Sequence, residues 1–142
     1  MSKEIEGDFS KSMITSTPAN LSDEQFELLK KRFNIYPDQA IYIYSFKENK
    51  MIYASGWFDL LGYEDAEINM LTIVSITSPR FAKFSNELND KALMFIQTKK
   101  ERLEEYSFTL ELEKIHKDGS LVPLFSRVAV LKAAHGQVEQ II

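Results

Sequence analysis

The segment SLVPLFSRVAVLK, residues 120–132, is apolar on both of its alternating sides: Val122, Leu124, Val128 and Val130 fall on one, and Leu121, Phe125, Ala129 and Leu131 on the other. Successive strand side chains point to opposite faces of a sheet, so a strand of this kind needs cover from two directions. Before it lies YSFTLELEKI, residues 106–115, where Tyr106, Phe108, Leu110 and Leu112 alternate with Ser107, Thr109, Glu111 and Glu113. That alternation describes a half-buried strand with one wet face. Asp118-Gly119, in the HKDG between them, is the strongest hairpin signal of the chain.

The remaining segments sort around this hairpin. Residues 1–20 are rich in Ser, Thr and charge without an apolar period and are predicted to form a flexible arm. A helix is predicted over 21–36. Ser22 with Gln25 resembles a capping box, Asp23 and Glu24 suit the positive helix start, and Lys30, Lys31 and Arg32 suit the negative end. Phe26, Leu29 and Phe33 give it one apolar stripe, and Pro37 closes it. From Ala40 the period changes to two, and AIYIYSF and MIYAS, separated by KENK, read as a second hairpin. Short helices are predicted in GWFDLLGY and DAEINM and a longer one after Pro79, with Phe84, Leu88, Ala92, Phe95 and Ile96 at helical spacing. AAHGQ is a further turn and VEQII opens a strand on which the sequence stops, so the domain over 37–142 is expected to be cut in or after its last strand.

Composition narrows the classes. One hundred and forty-two residues, 44% of them hydrophobic, suit one domain with a genuine core. A net charge of -4 argues against a nucleic-acid surface, and the absence of cysteine removes disulfides and thiolate chemistry. No stretch approaches the roughly 18 apolar residues of a membrane span. A cytoplasmic domain is the expectation.

Two strands, short helices, a longer helix and three strands make an α+β domain with an antiparallel sheet. The chain from about Ala40 to Ile142 resembles a PAS domain: IYASGWFDLLGYEDAEI is similar to that family's strand-to-helix signature and IHKDGSLVPLFSRVAVL to its late hairpin. The resemblance implies a five-stranded sheet in the order 2-1-5-4-3 with helices across one face. Gly62 supplies the positive φ of a helix C-cap, and Asp65 is expected to cap the next helix, with Glu67 in its first turn. Ala54 or Ser55 stands where the signature often carries asparagine.

With the sheet so built, Phe108, Leu110 and Leu112 face the helices together with Val122, Leu124, Ser126 and Val128. The outer face then presents Leu121, Phe125, Ala129 and Leu131, and the helix carrying Phe26, Leu29 and Phe33 is expected to cover it, within one subunit or across a two-fold dimer. Trp57, Phe58, Phe81, Phe84 and Phe95, with Leu110 and Leu124, are either plain core or the lining of a small apolar ligand site. Ser126 puts a hydroxyl into the apolar row, to be met by backbone, water or ligand.

No cofactor is expected. The light-sensing flavin members of the resembled family need a cysteine, and the haem members take a histidine on or beside the long helix, whereas His116 and His135 fall in turns. Two isolated histidines make no metal site, and Glu104, Glu105, Glu111 and Glu113 are directed to water rather than a shielded cleft. The expectation is a non-enzymatic sensory module, dimeric, controlling an output domain absent from this chain. By analogy of fold that output belongs to a LuxR-type bacterial transcriptional regulator. The alternatives are a histidine kinase or cyclase sensor, a ligand-free dimerisation module and a small α+β enzyme.

Overall fold

The structure, a computed structural model, describes residues 22–33 and 38–142. The arm expected over 1–20 and the end of the first helix, 34–36, lie outside the described residues. The sheet is antiparallel throughout, in the order 2-1-5-4-3 that the resemblance implies. Its strands are β1 (Ile41–Ser45), β2 (Lys50–Ser55), β3 (Ser107–Ile115), β4 (Leu121–Ala134) and β5 (Gln137–Ile141). The helices are α1 (Asp23–Phe33), α2 (Trp57–Leu61), α3 (Met70–Ser75) and α4 (Pro79–Gln97), with 3-10 turns at Asp65–Glu67 and Leu103–Glu105.

Register follows the hydrophobic alternation. Across β3 and β4 the pairs Phe108–Val128, Leu110–Ser126, Leu112–Leu124 and Lys114–Val122 share the face toward α2, α3 and α4, and Glu111–Phe125 and Thr109–Arg127 share the other. In the first hairpin Tyr44 pairs with Met51 on the inner face and Ile43 with Tyr53 on the outer one, with a bulge between Ile43 and Tyr44. The tight turn into β5 uses positive φ at both His135 and Gly136, as a two-residue hairpin turn requires.

The inner face packs in two clusters. Tyr44, Met51, Trp57, Leu61, Ile68, Met70, Ile73 and Ile76 form the first, with Val122 against it. Ile96, Leu103 and Val130 form the second, with Tyr106 and Phe108. Leu110, Leu112, Leu124, Ser126 and Val128, the middle of the inward row, belong to neither; they border the cavity described below.

On the outer face α1 runs from β2 to β4. The ring of Phe26 lies 5.7 Å from that of Tyr53, Arg32 Nη1 donates to the Leu131 carbonyl at 3.1 Å, and Arg127 Nη2 donates to the Phe33 carbonyl at 2.7 Å. The helix start carries the expected capping box: Gln25 N–H donates to Ser22 Oγ at 3.2 Å and Ser22 N–H to Gln25 Oε1 at 3.0 Å. Ile43 and Ala129 are buried, while Leu121 remains 56% and Phe125 72% exposed.

β5 joins the two halves of the sheet along a short length. It meets β1 at Tyr44–Ile141 and Ser45–Gln140, while Ile142 exchanges both backbone hydrogen bonds with Ala129 at 2.9 and 3.0 Å. Beyond that point Ile41–Ile43 of β1 pair with β2, residues 121–128 of β4 pair with β3, and no described strand lies between them.

Candidate functional site

The short helix α2 is held at both ends. Gly62 closes it with φ 81°, its N–H donating to the Phe58 carbonyl at 2.8 Å. Asp65 differs from expectation. Its Oδ1 accepts from the Trp57 N–H at 3.1 Å, eight residues back, so it satisfies a free donor in the first turn of α2 instead of capping the turn that follows it. That 3-10 turn is capped by Glu64, whose N–H donates to Glu67 Oε2 at 2.8 Å. So fixed, α2 presents Trp57 and Leu61 inward, and Trp57 Nε1 donates to the Ile41 carbonyl at 2.8 Å.

A cavity of about 300 Å³ lies between this indole, α3, α4 and the middle of the inward row. Its walls are mainly apolar: Tyr42, Trp57, Leu61, Met70 and Ile73 on one side, Leu110, Leu112, Leu124 and Val128 on the other. Polar groups enter at Ser126, at Thr77 and Lys114, and from Ser85, Asn86 and Asn89 of α4. The cavity extends to Ile41, Ala129 and Ile142 beside the gap between β1 and β4, and to Phe33, Asp38 and Arg127. Burial pushes the Tyr42 phenol up to about 12.

Among the residues expected to form a ligand site, Trp57, Leu110, Leu124 and Ser126 border the cavity, and Phe84 and Phe95 do not. Phe84 is 49% exposed; Phe95 makes edge contacts with Tyr106 at 5.5 Å and Phe108 at 6.1 Å, beside the second cluster. The reason is helix rotation: α4 turns Ser85 and Asn89, one helical turn apart, to the cavity, and the aromatic stripe points elsewhere. Phe58 and Phe81 are also outside the lining, and Phe58 projects from α2 into solvent, 57% exposed.

Lys114 escaped the reading of the sequence. The same alternation that carries Phe108, Leu110 and Leu112 inward carries Lys114 inward two positions later, and that parity was the signal. Its side chain is buried, with Nζ donating to the Ile73 carbonyl at 2.6 Å and to Thr77 Oγ1 at 2.8 Å. Backbone pairing seals the place: Thr77 bridges Lys114, Ile115 N–H donates to Ile76 O at 2.7 Å and Ser78 N–H to Glu113 O at 2.9 Å. Desolvation pulls the ammonium down to about 8.

The remaining candidates lie apart. His116 packs on the Gly62 turn and its Nδ1 accepts from the Asp118 N–H at 3.1 Å. His135 is exposed in the β4–β5 turn. Among the described residues no cluster of three or more His, Asp or Glu could hold a metal ion, and no helix is long and apolar enough to cross a membrane. Compared with known proteins, the chain matches no family model, and no curated protein matches it significantly.

Proposed function

We propose that this chain is a sensory module of the PAS type, which binds a small molecule between its sheet and helices and passes the state of that site to an output function. The observation that carries the reading is the unfilled middle of the inward row. Leu110, Leu124 and Ser126 sit where a closed core would pack them against helix side chains, and they border about 300 Å³ instead. Mostly apolar walls with a few placed polar groups are the composition of a ligand site. The sheet order and the glycine-stopped helix of GWFDLLGY agree with the family resemblance.

Binding rather than catalysis fits the lining. Its one carboxylate among the described residues, Asp38, is exposed, and its inward titratable groups are Lys114 and Tyr42. Shielded acid–base pairs are what hydrolytic chemistry would require. Transmission follows from position, since Trp57 hydrogen-bonds β1 and the cavity reaches the gap in the sheet that Phe33 and Arg127 border from the α1 side. Occupancy that moves these groups would bias the outer face, where Leu121 and Phe125 stand open for a second copy. On analogy of fold alone, the output is transcriptional, in a LuxR-type bacterial regulator.

Native mass spectrometry against denaturing mass spectrometry of the purified protein tests the reading. A small molecule retained in the native spectrum and released on denaturation is the expected result. An empty, stable dimer that takes up nothing from a broad metabolite mixture would replace sensing with pure assembly.

A further inference from the structure

Lys114 is the one charged side chain buried among the described residues, at 7% exposure. None of the ion pairs among those residues includes it. An ammonium group has three N–H donors, and here two are used, by the Ile73 carbonyl and Thr77 Oγ1. Both acceptors are neutral. Removing a cation from water without an opposite charge is costly, and the downward pull on its proton affinity is the sign of that cost. The same three residues stand in the wall of the cavity.

We propose that the cavity receives a small apolar monocarboxylic acid, its carboxylate accepting the remaining Lys114 N–H and its hydrocarbon body lying along Leu112, Leu124, Leu110 and Trp57. This rests on the ligand-binding reading above. Three features select the class. A single buried cation with no acidic partner is matched by one negative charge, and a charge-assisted hydrogen bond there is stronger than the neutral bonds it already makes. The sheet wall between Lys114 and Ser126, made by Leu110, Leu112 and Leu124, is apolar, the polar groups that α4 adds are uncharged, and the cavity's other charged groups, Asp38 and Arg127, are exposed. Dimensions agree as well: Ser126 stands four positions along β4 from Val122, the partner of Lys114, roughly 13 Å at about 3.3 Å per residue. A volume of about 300 Å³ stands at the small end of ligand sites, the scale of a medium-chain or aryl-alkyl acid. Ser126, at the far end, is placed to meet a polar group on the tail.

The test compares octanoate with 1-octanol, and 3-phenylpropanoate with 3-phenylpropanol, by calorimetric titration of the full chain at pH 7. The expected result is an acid bound at least about tenfold tighter than its alcohol, the range for a hydrogen bond to a charged group. In Lys114→Met that preference collapses while the alcohol affinity is retained, and in Lys114→Arg the preference persists. Acid and alcohol bound equally by the unaltered chain overturn the carboxylate assignment and leave the ligand site standing. A preference that survives Lys114→Met assigns the anion to another cation, such as Arg127, and also overturns it. If no probe binds, this inference is overturned, and the ligand-site reading is decided separately by the native mass spectrometry described above. The comparison in the unaltered chain decides the matter even if Lys114→Met does not fold.

Discussion

Lys114 Nζ lies 2.6 Å from the Ile73 carbonyl, so the edge strand β3 is tied through a buried cation to the last turn of α3. Helix C-terminal carbonyls favour positive charge, which gives the contact a structural role alongside any ligand. The cost is desolvation, which lowers the amine to about 8 from its ordinary 10.5.

A folded-state value below the unfolded one means that the unfolded chain holds more protons between the two. The stability linked to Lys114 is therefore complete above 10.5 and is lost as pH falls through 8. Between pH 7.5 and 9.5 the unaltered protein should gain about 2 kcal/mol from this group, from roughly 1.4 kcal/mol per unit of pKa. Urea unfolding at the two pH values, on the protein and on Lys114→Met, checks it. Equal pH dependence in both would remove the claim. Staying below pH 10 avoids Tyr42, whose raised value makes the protein lose stability from pH 10 toward 12.

Gly62 sits at φ +81°, and a Cβ there would come within 2.7 Å of His116 Cε1. Gly119 has a similar φ of +92° with nothing within 4 Å. Gly62→Ala and Gly119→Ala should share a backbone strain of about 1 kcal/mol, with Gly62→Ala costing about another 1 kcal/mol for displacing the imidazole. Chemical denaturation of both, and of Gly62→Ala combined with His116→Ala, measures the difference. A double variant no more stable than Gly62→Ala alone contradicts the contact.

Two helix starts give a matched pair. Asn69 Oδ1 accepts from the Thr72 N–H at 2.9 Å at the start of α3, whereas Ser78, before α4, makes no such bond and its buried Oγ has no partner among the described residues. Asn69→Ala should cost about 1 kcal/mol and Ser78→Ala less than about 0.5 kcal/mol. Thermal melts with matched denaturant titrations rank them, and the reverse order would refute the assignment.

Phe125 and Leu121 are the open part of an outer face that α1 otherwise crosses. If two copies meet there, Phe125→Asp should convert a dimer to a monomer by light scattering with unchanged circular dichroism, because it places an unpaired charge in an apolar contact between copies at a position the single chain leaves 72% exposed. A dimer of undiminished affinity would move the interface elsewhere.

Much of this architecture was legible in the chain. Alternation in 106–115 and 120–132, Asp118-Gly119 between them and the Ser22–Gln25 box each express a local rule, because backbone geometry alone sets strand period, turn type and helix start. The 2-1-5-4-3 order came through family resemblance instead, since no local rule ranks strand neighbours.

What tertiary structure decided was where helices are turned and what a side chain meets on the far side of the sheet. Phe84 and Phe95 share the helical spacing of a core stripe, yet the roll of α4 gives the cavity Ser85 and Asn89. Asp65 serves a helix start eight residues upstream, a distance that capping rules do not span. Lys114 has inward parity in sequence, but burying its charge depends on the α3–α4 junction folding over it with a carbonyl and a hydroxyl in reach. Period and turn chemistry act over a few residues and can be read from them, whereas desolvation and cavity shape are properties of surfaces that come together only when distant segments pack.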